Sequence, residues 1–390
     1  MWRNIASNAL TLFIVILIVG VGMIAWGKRE FTQPGPLAEA VCLKVDRGSN
    51  FNRVSSNLSE MGAISYPQIF RIGVSYSEKS NQLKAGSFLV PEGASMEEII
   101  DIVTRGGAST CGTEILYRIG VLTAEMRVRE LDPTTQEYKV TAEFDPREAD
   151  VVVPEVYQAM RDEDDTRYRI AVAEGVTSWQ VVDSLKAADF LTGDIAEVPP
   201  EGSLAPDSYE MKPGASRADL IAAMMASQAD ILAKAWDARA EGLPYASPEE
   251  ALIMASIVEK ETGVADERRQ VASVFVNRLN QPMRLQTDPT VIYGITKGQG
   301  ALGRGLRQSE LRRETPYNTY VIDGLPPTPI ANPGKAAIEA ALNPANTEYL
   351  FFVADGTGGH AFATTLQEHN ANVAKWREIE AQREAEQGNQ

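Results

Sequence analysis

Residues 247–279 read SPEEALIMASIVEKETGVADERRQVASVFVNRL, and this stretch sets the frame for the rest of the chain. Ser247 before Pro248, with Glu250 three positions beyond the serine, combines an N-cap, a proline at the first helical position and a capping-box partner, so a helix begins here. Ala251, Met254, Ala255, Ile257 and Val258 recur at three- and four-residue spacings, the period of a helix buried along one side, and Gly263 marks its end. Glu261 continues that side, with Val258, Ile257 and Met254 three, four and seven positions before it. A carboxyl directed toward apolar surface resists ionisation, which suits a group that must donate a proton near neutral pH. An equally open reading is that Glu259-Lys260-Glu261 is a solvated last turn. Glu259 is the rival acid, with less desolvation expected beside the smaller Ala255 and Ser256. A second amphipathic helix follows over Arg268–Leu279, with Val271, Val274, Phe275 and Leu279 on one side.

Downstream the helical period stops. MRLQTDPTVIYG (283–294), TPYNTY (315–320), GLPPTPIANPG (324–334) and FFVADGTGGHAF (351–362) are polar, Pro/Gly-rich segments between hydrophobic elements, the composition of ordered loops that build a site. Gln, Asn, Thr and Tyr side chains with aromatic faces suit a sugar polymer, offering hydrogen bonds to hydroxyls and acetamides and flat surfaces for pyranose rings. Asp288, before Pro289, reads as a second carboxylate or as a turn former, with the turn favoured. Of the two histidines, His360 follows Gly358-Gly359 in a turn and reads as a structural hydrogen-bonder or a site residue, while His369 begins the last helix. No zinc-type histidine pair, cysteine cluster, phosphate-cradling loop or nucleophile elbow occurs, so neither metal nor cofactor is expected.

Upstream, Ala9–Trp26 is an uncharged apolar run flanked by Arg3 and Lys28-Arg29, long enough to cross a bilayer and too long for a cleaved leader. An uncleaved anchor with the rest of the chain outside the cytoplasm is the economical topology. Four segments, around Gly48, Gly93, Gly175 and Gly214, then repeat one pattern. A strand-like lead enters a glycine turn, a Ser or Thr follows within three residues, and an aliphatic residue sits six after the glycine. Such short αβ units resemble LysM-type carbohydrate-binding modules, or are a chance likeness in a common arrangement. Within 112–167 the text changes: 138–144 and 149–153 read as strands and 161–165 as an exposed acidic loop, an insertion of unassigned role. The 390 residues carry a net charge of −16 with 44% hydrophobic residues, which allows large cores and argues against a nucleic-acid partner. Cys42 and Cys111 allow at most one disulfide, or two small buried thiols.

ASIVEKETG (255–263), VASVFVNRL (271–279), MRLQTDPTVIYG, PYNTY, GLPPTPIANPG, ALNPANTEYLFFVADGTGGHAF and EHN together resemble the MltG/YceG family of membrane-anchored endolytic murein transglycosylases. The resemblance covers the anchor, the LysM-like region and residues 205–370. It implies that Glu261 is the catalytic acid/base, the residue the helical period singles out, and that Gln286, Asp288, Tyr317, Asn318 and Tyr320 bind substrate. It implies cleavage of the bond from N-acetylmuramic acid to N-acetylglucosamine within glycan strands, leaving a 1,6-anhydro end, and association with penicillin-binding proteins or the elongation machinery. The alternatives are a muramidase-type hydrolase and a non-catalytic glycan-binding scaffold. The expected fold is α+β: an anchor over 1–30, a LysM-like module over 31–111, the insertion over 112–167, a mixed α/β catalytic region over 168–370 and a charged helix or tail over 371–390. The expected location is the cell inner membrane, crossed once, with the catalytic region outside.

Overall fold

A computed structural model describes residues 2–105, 107 and 109–387. Residues 106 and 108 of the expected module and 388–390 of the expected tail lie outside the described residues. Helices and sheets are mixed throughout, and the chain divides into two compact units.

The first unit takes in Met1–Leu116, Arg127–Glu143 and Val153–Tyr168. It opens on α1 (Trp2–Thr32), in which Ser7–Thr32 is long and apolar enough to cross a membrane and is not buried within the protein. Strands β1 (Val41–Val45) and β2 (Gly86–Val90) pair antiparallel, Val41 opposite Val90 and Val45 opposite Gly86. Helices α2 (Phe51–Glu60), α3 (Pro67–Tyr76) and α4 (Met96–Thr104) close over them around Leu43, Val54, Leu58, Phe70, Ile99 and Ile100. Cys42 and Cys111 are joined as a disulfide with Cα atoms 5.6 Å apart. The acidic segment 161–165 is not wholly a solvated loop: Glu163 and Asp165 each lie 2.9 Å from Lys44 Nζ, at the end of β1.

The expected insertion is largely sheet. Strands β3 (Thr113–Ile119), β4 (Ala124–Leu131) and β5 (Tyr138–Phe144) join β6 (Arg167–Val172) and β8 (Ser208–Met211) in one sheet of order β5-β4-β3-β6-β8. The strand expected over 149–153 does not form: 149–150 are turn, and 151–153 run unpaired into Pro154, which precedes α5 (Glu155–Met160) and has no N–H to extend a ladder.

The glycine-turn repeat is present in the backbone. Gly48, Gly93, Gly175 and Gly214 all have positive φ, between 65° and 79°, the left-handed region that only glycine enters without strain. Each precedes a helix capped by the side chain of Asn50, Ser95, Thr177 or Ser216. The residues six after each glycine, Val54, Ile99, Val181 and Leu220, are all buried.

The second unit, Tyr117–Met126, Phe144–Val152 and Arg169–Gln390, adds α6 (Ser178–Ala187), the parallel pair β7 (Leu191–Thr192) and β9 (Ala215–Ser216), and α7 (Arg217–Asp237). Its centre is α8 (Pro248–Glu261), against which α7, α9 (Arg268–Asn280) and α12 (Lys335–Leu342) pack. Between them lie α10 (Asp288–Thr296) and the short α11 (Gln308–Leu311); β10 (Phe351–Ala354), β11 (His360–Ala363) and α13 (Leu366–Gln387) follow. Two sequence expectations change here. Helix α8 is not buried along one side only: residues 253–258 are buried without a break, because helices pack around it on several sides. Even Ser256 is fully buried, its hydroxyl donating to Ile253 O (2.7 Å) and accepting from Ile330 N (3.0 Å). The capping box is also displaced by one residue. Glu250 N donates to Ser247 Oγ at 3.4 Å, but the Glu250 carboxylate accepts from Ala246 N rather than from Ser247.

Candidate active site

The unbroken burial of α8 ends at Val258, and Glu259, Lys260 and Glu261, each half-buried, emerge in three directions, about 100° apart, and each meets protein. Glu259 Oε2 accepts from Gly334 N at 3.0 Å. Gly334 precedes α12 and offers no side-chain cap, so Glu259 satisfies an open N–H at the positive end of that helix. Lys260 Nζ donates to Gly175 O at 3.3 Å. Glu261 Oε1 accepts a hydrogen bond from Thr287 Oγ1. The solvated-turn reading of this tripeptide therefore does not hold.

Burial pushes the Glu261 carboxyl above the ordinary carboxylate range, and the nearby Asp288 charge adds to the rise. The Thr287 hydroxyl, His360 and Arg278 oppose it. Glu259 is also pushed up by burial, against the Gly334 N–H, with Glu174 adding to the rise. What separates the two acids is occupation: Glu259 is tied to a helix terminus, whereas Glu261 meets a single hydroxyl and keeps its second oxygen free of any protein partner among the described residues.

Thr287 is held by a buried hydroxyl cluster. Its N–H donates to Thr319 Oγ1 at 3.0 Å, Thr319 Oγ1 lies 2.9 Å from Thr290 Oγ1, and Thr290 donates to Thr287 O at 2.8 Å. Leu285 and Thr287 point inward, so Gln286 and Asp288 face out beside the acid. Gln286 does so at a φ of +50°, backbone strain of the kind that clusters at functional sites. Asp288 opens α10, with Pro289 in its first turn, rather than making the expected turn. Its Oδ1 accepts from Tyr320 OH at 2.6 Å, and burial followed by this bond pushes the Tyr320 phenol up.

Gln286, Asp288 and Tyr320 are thus brought to the segment that holds Glu261. Tyr317 is turned toward Tyr293, ring centroids 5.1 Å apart, with its OH 2.8 Å from Thr328 Oγ1. Asn318 is fully buried: its amide nitrogen donates to the carbonyls of Glu310, Leu311 and Arg313, and its oxygen accepts from Tyr320 N. It shapes the loop that presents Tyr320 instead of facing solvent itself.

Several residues escape a sequence reading. Arg278, 7% exposed, donates to Leu350 O (2.7 Å) and Leu285 O (2.5 Å) and stacks 5.4 Å over Phe351. Burial lowers its pKa, while Tyr320 and Glu261 raise it. A charge within the apolar period of α9 was the available signal. His360, which the sequence left open between a structural hydrogen-bonder and a site residue, has Nδ1 2.7 Å from Glu267 Oε2, and its backbone N–H bonds the same carboxylate. Nothing in the text around Thr287, Thr290 and Thr319 marks them as one cluster, since it assembles across about thirty residues of chain.

A half-buried carboxyl held above its ordinary range at a helix end thus has carboxamide, carboxylate and phenol groups presented beside it. The sequence model of the YceG-like family matches residues 138–375, and the chain belongs to that family. A Bacillus subtilis (strain 168) protein named endolytic murein transglycosylase is 31% identical over 343 residues, covering 86% of this chain and 84% of that protein. A Streptococcus pneumoniae serotype 2 (strain D39) protein of the same name is 28% identical over 342 residues, covering 86% of this chain and 58% of the relative. A crystal structure titled putative yceG-like protein, from Listeria monocytogenes, aligns at 26% identity with a TM-score of 0.45, over 86% of this chain and 99% of that one.

Proposed function

We propose that this protein is an endolytic murein transglycosylase, a lyase that cuts peptidoglycan strands internally, with Glu261 as its one acid/base. The observation that carries the reading is the raised Glu261 carboxyl under a lone Thr287 hydroxyl, in a chain whose relatives bear that name. Protonated Glu261 donates to the glycosidic oxygen between N-acetylmuramic acid and the next N-acetylglucosamine, and an oxocarbenium-like centre develops at C1. The resulting carboxylate takes the proton of the muramyl C6 hydroxyl as that oxygen attacks C1. One bond breaks, one forms, the proton is returned and no water is consumed. A second carboxylate is unnecessary because the nucleophile belongs to the substrate. Gln286, Asp288 and Tyr320 line the cleft, Tyr317 borders it, and Asn318 supports it from below.

In this reading α1 crosses the cell membrane once and the remainder lies outside the cytoplasm, a compartment in keeping with the Cys42–Cys111 disulfide. The four glycine-turn units act as LysM-like glycan contacts, and the partition into anchor, module, insertion and catalytic region follows the boundaries given above. Penicillin-binding proteins or the elongation machinery are the partners that such strand cutting would serve.

The test compares wild type and Glu261→Gln on purified peptidoglycan, with mass spectrometry of the fragments. Anhydro-ended fragments from wild type and none from the variant are expected. Reducing ends would replace transglycosylation by hydrolysis, and equal activity in the variant would remove Glu261 from its role.

A further inference from the structure

The two carboxylates of Glu259-Lys260-Glu261 have roles above; the lysine between them does not. Lys260 lines a cavity of about 320 Å³ in the second unit, walled on its apolar side by Val121, Pro289, Ile292 and Leu302 and on its polar side by Tyr293. Its ammonium has three N–H groups, of which one reaches Gly175 O at a long 3.3 Å. Lys260 forms no ion pair among the described residues, although burial lowers its pKa and Glu259 and Glu201 act at a distance to keep it charged. Arg304, also on the cavity wall, is already forked onto Glu310 at 2.9 and 2.5 Å. The cavity thus presents a half-buried cation with open donors at one side and aliphatic surface at the other. That pairing suits a small anion carrying methyl-sized groups and gives a neutral sugar no reason to prefer it.

Its position relative to the acid is fixed by the helices. Lys260 and Glu261 are consecutive, so their Cα atoms are about 3.8 Å apart while their side chains diverge by about 100°. The first turn of α10 is the shared wall: Thr287 and Asp288 serve the Glu261 side, Pro289 and Ile292 the cavity. A volume of 320 Å³ is about ten waters' worth, room for a dipeptide of small residues rather than for a second pair of sugars.

We propose that this cavity is a subsite for the peptide borne by the glycan strand, with Lys260 holding a peptide carboxylate and Ile292 and Leu302 contacting alanine-sized side chains. The proposal rests on the glycan-strand reading above. In peptidoglycan the peptide leaves the muramyl ring through its lactyl ether, and on this proposal a strand bound at Glu261 extends that peptide past the first turn of α10 to Lys260. The enzyme then favours peptide-bearing strands over bare ones, through a residue adjacent to its acid.

Binding is measured without cleavage, using the full chain in detergent carrying Glu261→Gln and titrated calorimetrically with a muramyl dipeptide. The dipeptide is used with its peptide carboxylates free and with them amidated. Amidation is expected to weaken binding about tenfold or more, the effect of losing a charge-assisted hydrogen bond. Adding Lys260→Gln is expected to weaken the free acid to the level of the amide and erase the difference. Equal affinity for both ligands, or no binding of either, overturns the proposal, and because the ligand is what varies, a variant that misfolds does not protect it. In cleavage assays, the wild-type kcat/KM on peptide-bearing strands should exceed that on amidase-stripped strands about tenfold, with Lys260→Gln collapsing the ratio through KM. Fragments with reducing ends would overturn the transglycosylase reading alone, leaving the ligand comparison to decide the subsite.

Discussion

Thr287 stands at the N-cap position of α10 yet directs its hydroxyl to Glu261 instead of to the helix it begins. A threonine in that position ordinarily satisfies an N–H two or three residues on, worth about 1 kcal/mol. Here the cap bond is absent and the acid gains a donor, and the buried pair Thr290 and Thr319 keeps the hydroxyl in place.

Thr287→Val removes that donor while keeping the shape. The hydrogen bond favours ionised Glu261, so its loss raises the carboxyl further. The alkaline limb of the kcat/KM profile, where the acid loses its proton, should move to higher pH. Activity at the optimum should fall about tenfold or more, the scale of a hydrogen bond to a charged group. An unshifted limb would detach Thr287 from the acid.

Glu261→Gln should change stability with a defined sign. The folded state holds the Glu261 pKa above its unfolded value, so protonation favours folding. The stability this contributes is complete below about pH 4.3 and is lost as pH rises through the higher folded value, at about 1.4 kcal/mol per unit of difference. Thermal melts of wild type and variant should therefore diverge from acid toward neutral pH, with the variant the more stable at neutrality.

Glu259→Gln separates the two acids. A glutamine oxygen can still accept from Gly334 N, so α12 keeps its partner. Anhydro product should persist within about threefold of wild type, and because burial also holds the Glu259 carboxyl above its ordinary range, the variant should melt no lower than wild type at neutral pH. Complete loss of product in a folded protein would move the acid to Glu259.

Gly294→Ala sets two effects in opposition. Alanine favours the helix by about 1 kcal/mol, but its Cβ would lie 2.9 Å from Tyr317 Cβ. Overpacking costs about 1–3 kcal/mol, and the neighbouring atom belongs to a ring root that cannot swing aside. A net loss of stability and reduced cleavage are expected from melting and activity assays, as Tyr317 is pushed from its place against Tyr293.

Reduction of the Cys42–Cys111 disulfide opens a loop of 69 residues. The chain-entropy relation assigns such a closure about 4 kcal/mol. The melting transition of the first unit should fall clearly in dithiothreitol, and a non-reducing peptide map should show the two cysteines joined.

Much of this was legible in the text because it is local. The Ser247-Pro248 start, the glycine turns with their caps, the aliphatic residue six positions on and the uncharged run of α1 all follow from backbone preferences within a few residues, and those preferences act before any packing. Glu261 was singled out as a candidate in the same local way, through its spacing from Met254, Ile257 and Val258. Tertiary structure decided what those side chains meet. The sequence left the Glu-Lys-Glu turn open between solvated and buried, and Gly334, Gly175 and Thr287, brought in from 26 to 85 residues away, closed it. The family resemblance implied that Asn318 binds substrate, but its three carbonyl partners draw it fully inside. Asp288 read as a turn by its proline, yet the same proline also begins helices, and the contact of α10 with α8 selects that use. Burial and hydrogen-bond partnership are properties of the packed chain, and for a charged side chain they fix the pKa. The sequence could therefore single out Glu261 as a candidate, while only the fold could set its proton affinity and place beside it a lysine with no ion pair among the described residues.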